Sequence, residues 1–118
     1  MSEKKKILLV DDEDDIALAF SLGLESSGFS VDVYTSSLTA LINFKSNFYD
    51  LALLDIKIPD MDGIELYEKI REKDKKIKIC FLSAYDVDYH LVKAYSECII
   101  KKPITIEDLI KKINTEIR

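Results

Sequence analysis

Residues 7–15 read ILLVDDEDD, four apolar residues running directly into five acidic ones. An unbroken apolar run this short, ended by charge, reads as a strand covered on both faces, because a half-exposed strand would alternate with polar residues. Working outward, short apolar runs recur at Val31 to Tyr34, Leu51 to Leu54, Ile77 to Leu82 and Cys98 to Ile100. Between them, apolar residues fall at helical spacing: Ile16, Phe20 and Leu24, then Leu38, Leu41 and Ile42, then Leu66 and Ile70. The stripe between Asp86 and Tyr95 (Val87, Leu91, Val92, Tyr95) is looser. The last helix is the clearest, with Ile106, Leu109, Ile110, Ile113 and Ile117 following a Thr105-x-x-Asp108 capping pattern.

Five strands alternating with five helices predict an α/β three-layer sandwich, a parallel sheet covered by helices on both faces. Right-handed crossovers leave few topologies, and the compact one is the flavodoxin-like, doubly wound order 2-1-3-4-5; the pattern by itself leaves other orders open. At 118 residues, with 47% hydrophobic and 33% charged, the chain suits a single domain spanning 1–118 with a core of its own. The composition excludes a disordered tail and a membrane span.

Seventeen basic against 22 acidic residues give a net charge of −5, with the lysines scattered among carboxylates, so direct nucleic-acid binding is not expected. Lys4 to Lys6 read as a solvated flank of the first strand. Cys80 and Cys98 sit in apolar runs without CxxC spacing, which predicts buried free thiols in a reducing cytosol. No signal-peptide core follows the N-terminal lysines, and cytoplasmic residence is the expectation.

In open α/β sheets ligands gather at the carboxyl ends of the strands. The polar residues there are Asp11, Asp12, Asp55, Ser83 and Lys102. In the assumed order they converge, and crowded carboxylates then require a compensating cation, for which oxygen-only ligands select a hard ion such as Mg2+. Lys102 adds a second positive charge, a combination suited to phosphoryl transfer. Taken singly, each aspartate could equally cap a loop or a helix start.

The segments LLVDDED (8–14), LLDIKIPDMDG (53–63), LSA (82–84) and KKPI (101–104) match, in order and spacing, the four signature segments of response-regulator receiver domains. The chain resembles that family over roughly residues 6 to 117. The resemblance implies that Asp55 is the phosphoacceptor, that Asp12 binds Mg2+ directly with Asp11 acting through water, and that the Lys57 backbone carbonyl completes the metal's protein ligands. It makes Ser83 the switch hydroxyl, Lys102 the partner of the phosphoryl group, and Pro103 the proline commonly preceded by a cis bond. Pro59 and Gly63 would shape the loop beside Asp55.

Such a protein is a phosphorylation-activated signalling switch that catalyses its own modification, without being an enzyme on another substrate. The implied partners are a sensor histidine kinase or phosphotransfer protein, and a downstream protein met through helix 4, strand 5 and helix 5; a phosphorylation-dependent homodimer is also compatible. No output domain or DNA-binding tail is expected within this chain, which fits either a chemotaxis-regulator-like stand-alone receiver or a receiver cut from a longer protein.

The chain departs from the family where many members carry an aromatic residue on the last strand: here stands Ile99. Tyr95 or Tyr85 could replace it, though packing is the simpler role for either. Lys57 and Tyr85, flanking the path of attacking water, offer no carboxylate or amide to orient it, which predicts slow self-dephosphorylation.

Four competing readings are weaker. An EF-hand fails because its first and twelfth positions would be Ile58 and Lys69. For a haloacid-dehalogenase-type phosphatase no acidic pair directly follows Lys102, and a flavin carrier would not place Asp11 to Asp15 where phosphate binds. A phosphorylation-independent interaction scaffold on the same fold remains the alternative from another class. His90, the single histidine, is expected on an exposed helix face.

Overall fold

The computed structural model describes residues 3–84, 89–96 and 98–117. Five parallel strands, β1 (Lys6–Val10), β2 (Ser30–Tyr34), β3 (Leu51–Asp55), β4 (Lys78–Ser83) and β5 (Ile99–Lys101), form one sheet in the order β2-β1-β3-β4-β5. The helices are α1 (Asp14–Ser26), α2 (Ser37–Ile42), α3 (Gly63–Lys73), α4 (Tyr89–Lys93) and α5 (Ile106–Ile117). The expected α/β sandwich and strand order are therefore those of the molecule.

The period-two geometry of the strands builds two cores. Leu8, Val10, Ala52, Leu54, Ile79 and Phe81 pack with Leu66 and Ile70 of α3, Ala40 of α2 and Val92 of α4. Ile7, Leu9, Leu51, Leu53, Cys80 and Leu82 pack with Phe20 and Leu24 of α1 and Leu109 and Ile113 of α5. Burial on both sides explains why the central strands read as continuous apolar runs.

Local chemistry sets where the helices begin and end. Thr105 caps α5 by accepting the Asp108 N–H, as its capping pattern predicts. After α1 the chain turns through Gly28 at φ 99°, a left-handed position that costs glycine least, while the Phe29 N–H returns to the Leu24 carbonyl.

Two expectations are corrected. The α2 stripe does not face inward as a unit: Ser37 and Ala40 are buried, whereas Leu38 and Ile42 are 48% and 82% exposed. With only six residues, α2 lies close enough to the sheet that small side chains fill the contact, and Leu41 packs at its rim. The cysteines are buried but not free. Parallel pairing of Phe81 with Ile99 sets Cys80 beside Cys98, their Cα atoms 4.7 Å apart, and the two form a disulfide. Within the looser stripe Tyr89–Lys93 form α4; residues 85–88, with Tyr85 and Val87, lie outside the described residues.

At the end of the sheet opposite the strand carboxyl termini, Asp74 joins two loops. Its carboxylate accepts the N–H groups of Asn47, Lys76 and Ile77 at 2.9, 3.0 and 3.2 Å. Burial alone would raise its pKa, but these bonds and the nearby Arg71 charge together hold it below the usual carboxylate range. Asp74→Ala, which leaves three donors without their acceptor, should lower unfolding free energy by about 2–4 kcal/mol in urea titrations at neutral pH. A group with a depressed folded pKa stabilises above its unfolded pKa and loses that contribution as pH falls through the folded one. The gap between parent and variant should accordingly shrink in acid.

Candidate functional site

Each strand of the β1, β3, β4 and β5 set hands one polar residue to the same edge. Asp55 closes β3 and is buried, Asp11 follows β1 with no exposed surface, and its N–H is held by the Tyr34 carbonyl of β2. Lys102 follows β5, its N–H bonded to the Ser83 carbonyl at the end of β4. The Lys102–Pro103 peptide bond is cis, as the resemblance implies.

The Lys102 ammonium is the hub. Its Nζ lies 3.0 Å from Asp55 Oδ2, 3.2 Å from Asp11 Oδ2 and 3.2 Å from Glu13 Oε1. The remaining oxygens of the buried pair are held by the backbone: Asp55 Oδ1 accepts the Lys57 N–H and Asp11 Oδ1 accepts the Glu13 N–H. Both aspartates are thus aimed by the loops that follow their own strands.

Three carboxylates against one ammonium leave an excess of negative charge, with Asp11 and Asp55 buried and Glu13 exposed. Burial pushes the Asp55 carboxyl up to about 6 although the Lys102 hydrogen bond pulls it down, and the charge of Asp11 adds to the rise. For Lys102 burial works toward a lower pKa, but the bond and charge of Asp55, with Asp11 and Glu13, outweigh it and hold the ammonium above the usual lysine range.

The oxygens of Asp11, Glu13 and Asp55 come within 4.8 Å of one another, an all-oxygen donor set that fits a hard divalent ion. Asp12 is not part of that trio, and Glu13, which sequence reasoning passed over, is. The signal for Glu13 was present in the acidic run: it stands two residues after Asp11, where the chain turns into α1. Ser83 is buried, and its hydroxyl donates to the Ala84 carbonyl at 3.1 Å. Lys57 is exposed on the loop after β3, and Tyr85 lies outside the described residues.

That loop is fixed from both sides. A Cβ on Gly63 would overlap the Asp55 carbonyl oxygen and stand 2.8 Å from Ile56 Cα, so no larger residue fits while the Gly63 N–H reaches the Ile56 carbonyl at 2.8 Å. Farther along, Asp60 accepts the Ser36 hydroxyl and the Leu38 N–H, capping α2 from outside that helix. These contacts, led by the Leu38 N–H, draw the Asp60 carboxyl down to about 2.

The model of the response regulator receiver domain matches residues 7–114. This chain belongs to that family. The receiver resembles the response regulator ArlR of Staphylococcus saprophyticus, 33% identical over 116 residues that cover 96% of this chain and 52% of that protein. The transcriptional regulatory protein CseB of Streptomyces avermitilis is 33% identical, covering all of this chain and 51% of the relative. This receiver therefore spans about half the length of the curated relatives it matches. Among solved structures, a CheY-like receiver domain protein from Methanospirillum hungatei superposes with a TM-score of 0.84 at 32% identity, covering 98% of this chain and 94% of that one. The receiver domain of the Francisella response regulator 1452 gives 0.84 at 28% identity, covering 97% of each.

Because the folded receiver holds the Asp55 proton more tightly than the unfolded chain, protonation stabilises it fully below about pH 4, and that stabilisation is lost as pH rises through about 6. Without divalent cations, Asp55→Asn should be more stable than the parent by roughly 1–3 kcal/mol near neutral pH, with the gap closing toward pH 4. Urea melts at both pH values measure this. Equal stability at neutral pH would mean that Lys102 compensates the burial in full.

Proposed function

We propose that this receiver is a phosphorylation-activated switch in which Asp55 takes a phosphoryl group from a phosphohistidine donor. The observation that carries the reading is the buried Asp55 carboxylate with one oxygen 3.0 Å from the Lys102 ammonium, among the carboxylates of Asp11 and Glu13. An Asp55 oxygen attacks phosphorus as the P–N bond to the donor imidazole breaks, and the imidazole leaves with the bonding pair and takes up a proton. With its carboxyl at about 6, Asp55 is mainly the ionised, nucleophilic form at neutral pH.

Asp55 and Asp12 would hold Mg2+ directly, with the Lys57 carbonyl as a further oxygen and Asp11 and Glu13 adding acidic charge beside Asp55; the ion would supply positive charge against the developing phosphoryl oxygens. Lys102, already drawn to Asp55, transfers its contact to one phosphoryl oxygen. Ser83 gives up the Ala84 carbonyl to donate to another, which pulls the chain after β4 toward the site. The surface of α4, β5 and α5 then shifts between two populations, and a downstream protein binds one of them better. Tyr95 stacks edge-on against Tyr67 at 5.7 Å, and Ile99 packs against the same core cluster, which supports a readout through aliphatic packing on β5.

The donor would be a sensor histidine kinase or a phosphotransfer protein of the cytoplasm. Among the described residues no helix is long and apolar enough to cross a membrane.

Incubation with acetyl phosphate and Mg2+ should add one phosphoryl mass to the intact receiver and none to Asp55→Asn, with loss of the gain in chelator. If acetyl phosphate, a histidine kinase and a beryllofluoride binding assay all fail, the interaction-scaffold reading replaces the switch. Lys57 and Tyr85 offer no carboxylate or amide to orient the attacking water, and the phosphoryl lifetime should be long; Tyr85→Glu should shorten it, measured as mass decay after donor removal. Unchanged decay in that variant would dismiss the role given to position 85.

A further inference from the structure

The disulfide sits away from the carboxyl edge, on the same strand pair but three residues before Ser83 and four before Lys102. Cys80 is inaccessible, whereas Cys98 is 5% exposed and lines a cavity of about 370 Å³ opening beside the start of β5. Arg71, Lys75, Lys76 and Lys78 surround that cavity against a single carboxylate, Glu116. Ser96 fixes the approach: its hydroxyl donates to the Ile79 carbonyl at 2.8 Å and accepts the Cys98 N–H at 3.1 Å. A carboxylate oxygen of Glu116 lies within 4.8 Å of both sulfurs. With the sulfurs bonded to each other neither is a thiolate, so the trio is not a metal site in this form.

We propose that Cys80 and Cys98 form a reversible thiol–disulfide exchange site, entered through this basic cavity by small anionic thiols and disulfides of the glutathione class. Exchange needs a path for in-line attack on one sulfur, and the cavity offers one to Cys98 while β4 and α5 close off Cys80. The attacking thiolate bonds to Cys98 Sγ and expels Cys80 as a thiolate, which takes a proton from water. A second thiolate attacks the mixed disulfide and releases Cys98, giving two protein thiols and one small disulfide from two small thiols. Oxidation runs the same steps backward and ties the chain from 81 to 97, α4 included, into a loop closed at the base of β5. Steering by four cations in a recess raises the local concentration of an anionic reagent and leaves a neutral one unaffected.

The native receiver would be equilibrated with graded ratios of glutathione to its disulfide, quenched, alkylated with N-ethylmaleimide and weighed intact. The expected result is a graded passage from no adducts to two, with a glutathione adduct at Cys98 as the intermediate. Oxidation of the reduced form by glutathione disulfide should slow roughly tenfold in a Lys76→Glu, Lys78→Glu variant and in high salt, while oxidation by neutral hydroxyethyl disulfide should not. Thiols that excess glutathione disulfide cannot oxidise, or a bond that reduces only in denaturant, would overturn the proposal. Equal slowing for both reagents would overturn the basic cavity as the entry. None of these readouts depends on phosphorylation of Asp55.

Discussion

Two carboxylates with almost no exposed surface, Asp11 and Asp55, stand side by side at the end of the sheet, and one ammonium makes that tenable. Burying two like charges without a partner would drive one of them to protonate or the edge to open to water. Lys102 reaches them only because β5 lies at the far side of β4 and the chain after it crosses the carboxyl edge toward α5. The site therefore depends on the strand order as much as on the residue types. With β5 anywhere else in the sheet, the same aspartates would face each other unneutralised.

That arrangement is frustrated by design of its charges. Three acidic side chains compete for one cation, and burial, with the Asp11 charge, lifts the Asp55 carboxyl to about 6 against the pull of Lys102. Any group that brings positive charge or new acceptors for the ammonium redistributes these contacts, which is the physical basis for a site that responds to a ligand or a modification. The loop after β3 cannot absorb the change, since Gly63 packs against the Asp55 backbone and Asp60 caps α2. At the end of β4 the Ser83 hydroxyl makes a local bond to the adjacent Ala84 carbonyl, while the Ser83 carbonyl accepts the Lys102 N–H.

Much of this was legible in the residues. Continuous apolar runs announced strands covered on both faces, and the polar residue after each run located the edge where Asp11, Asp55 and Lys102 meet. What stayed hidden depended on distances that periodicity does not encode. Leu38 and Ile42 fit a helical stripe, yet α2 is too short and too close to the sheet for that stripe to be its buried face. Glu13 went unnoticed beside Asp12, because a strand end does not say which residue of an acidic run reaches the Lys102 ammonium. The cysteines were one counting step away. Once Ser83 pairs with Lys101, three residues back from each lie Cys80 and Cys98.

That count has a mechanical consequence. β5 is only three residues long, about 10 Å at the rise of an extended chain, and both of its ends are tied to β4. At one end the Lys102 N–H bonds to Ser83, and at the other the disulfide and the Ser96 bridge join Cys98 to the base of β4. A strand pinned twice over so short a span is held against sliding along β4, and α4 lies in the chain between the two cysteines. Opening the disulfide would weaken one pin, leaving the Ser96 bridge and the Phe81 N–H bond to the Cys98 carbonyl there, and would leave the other intact. The proposed exchange of that bond would therefore change the stiffness at the base of β5 without changing any group that touches Asp55.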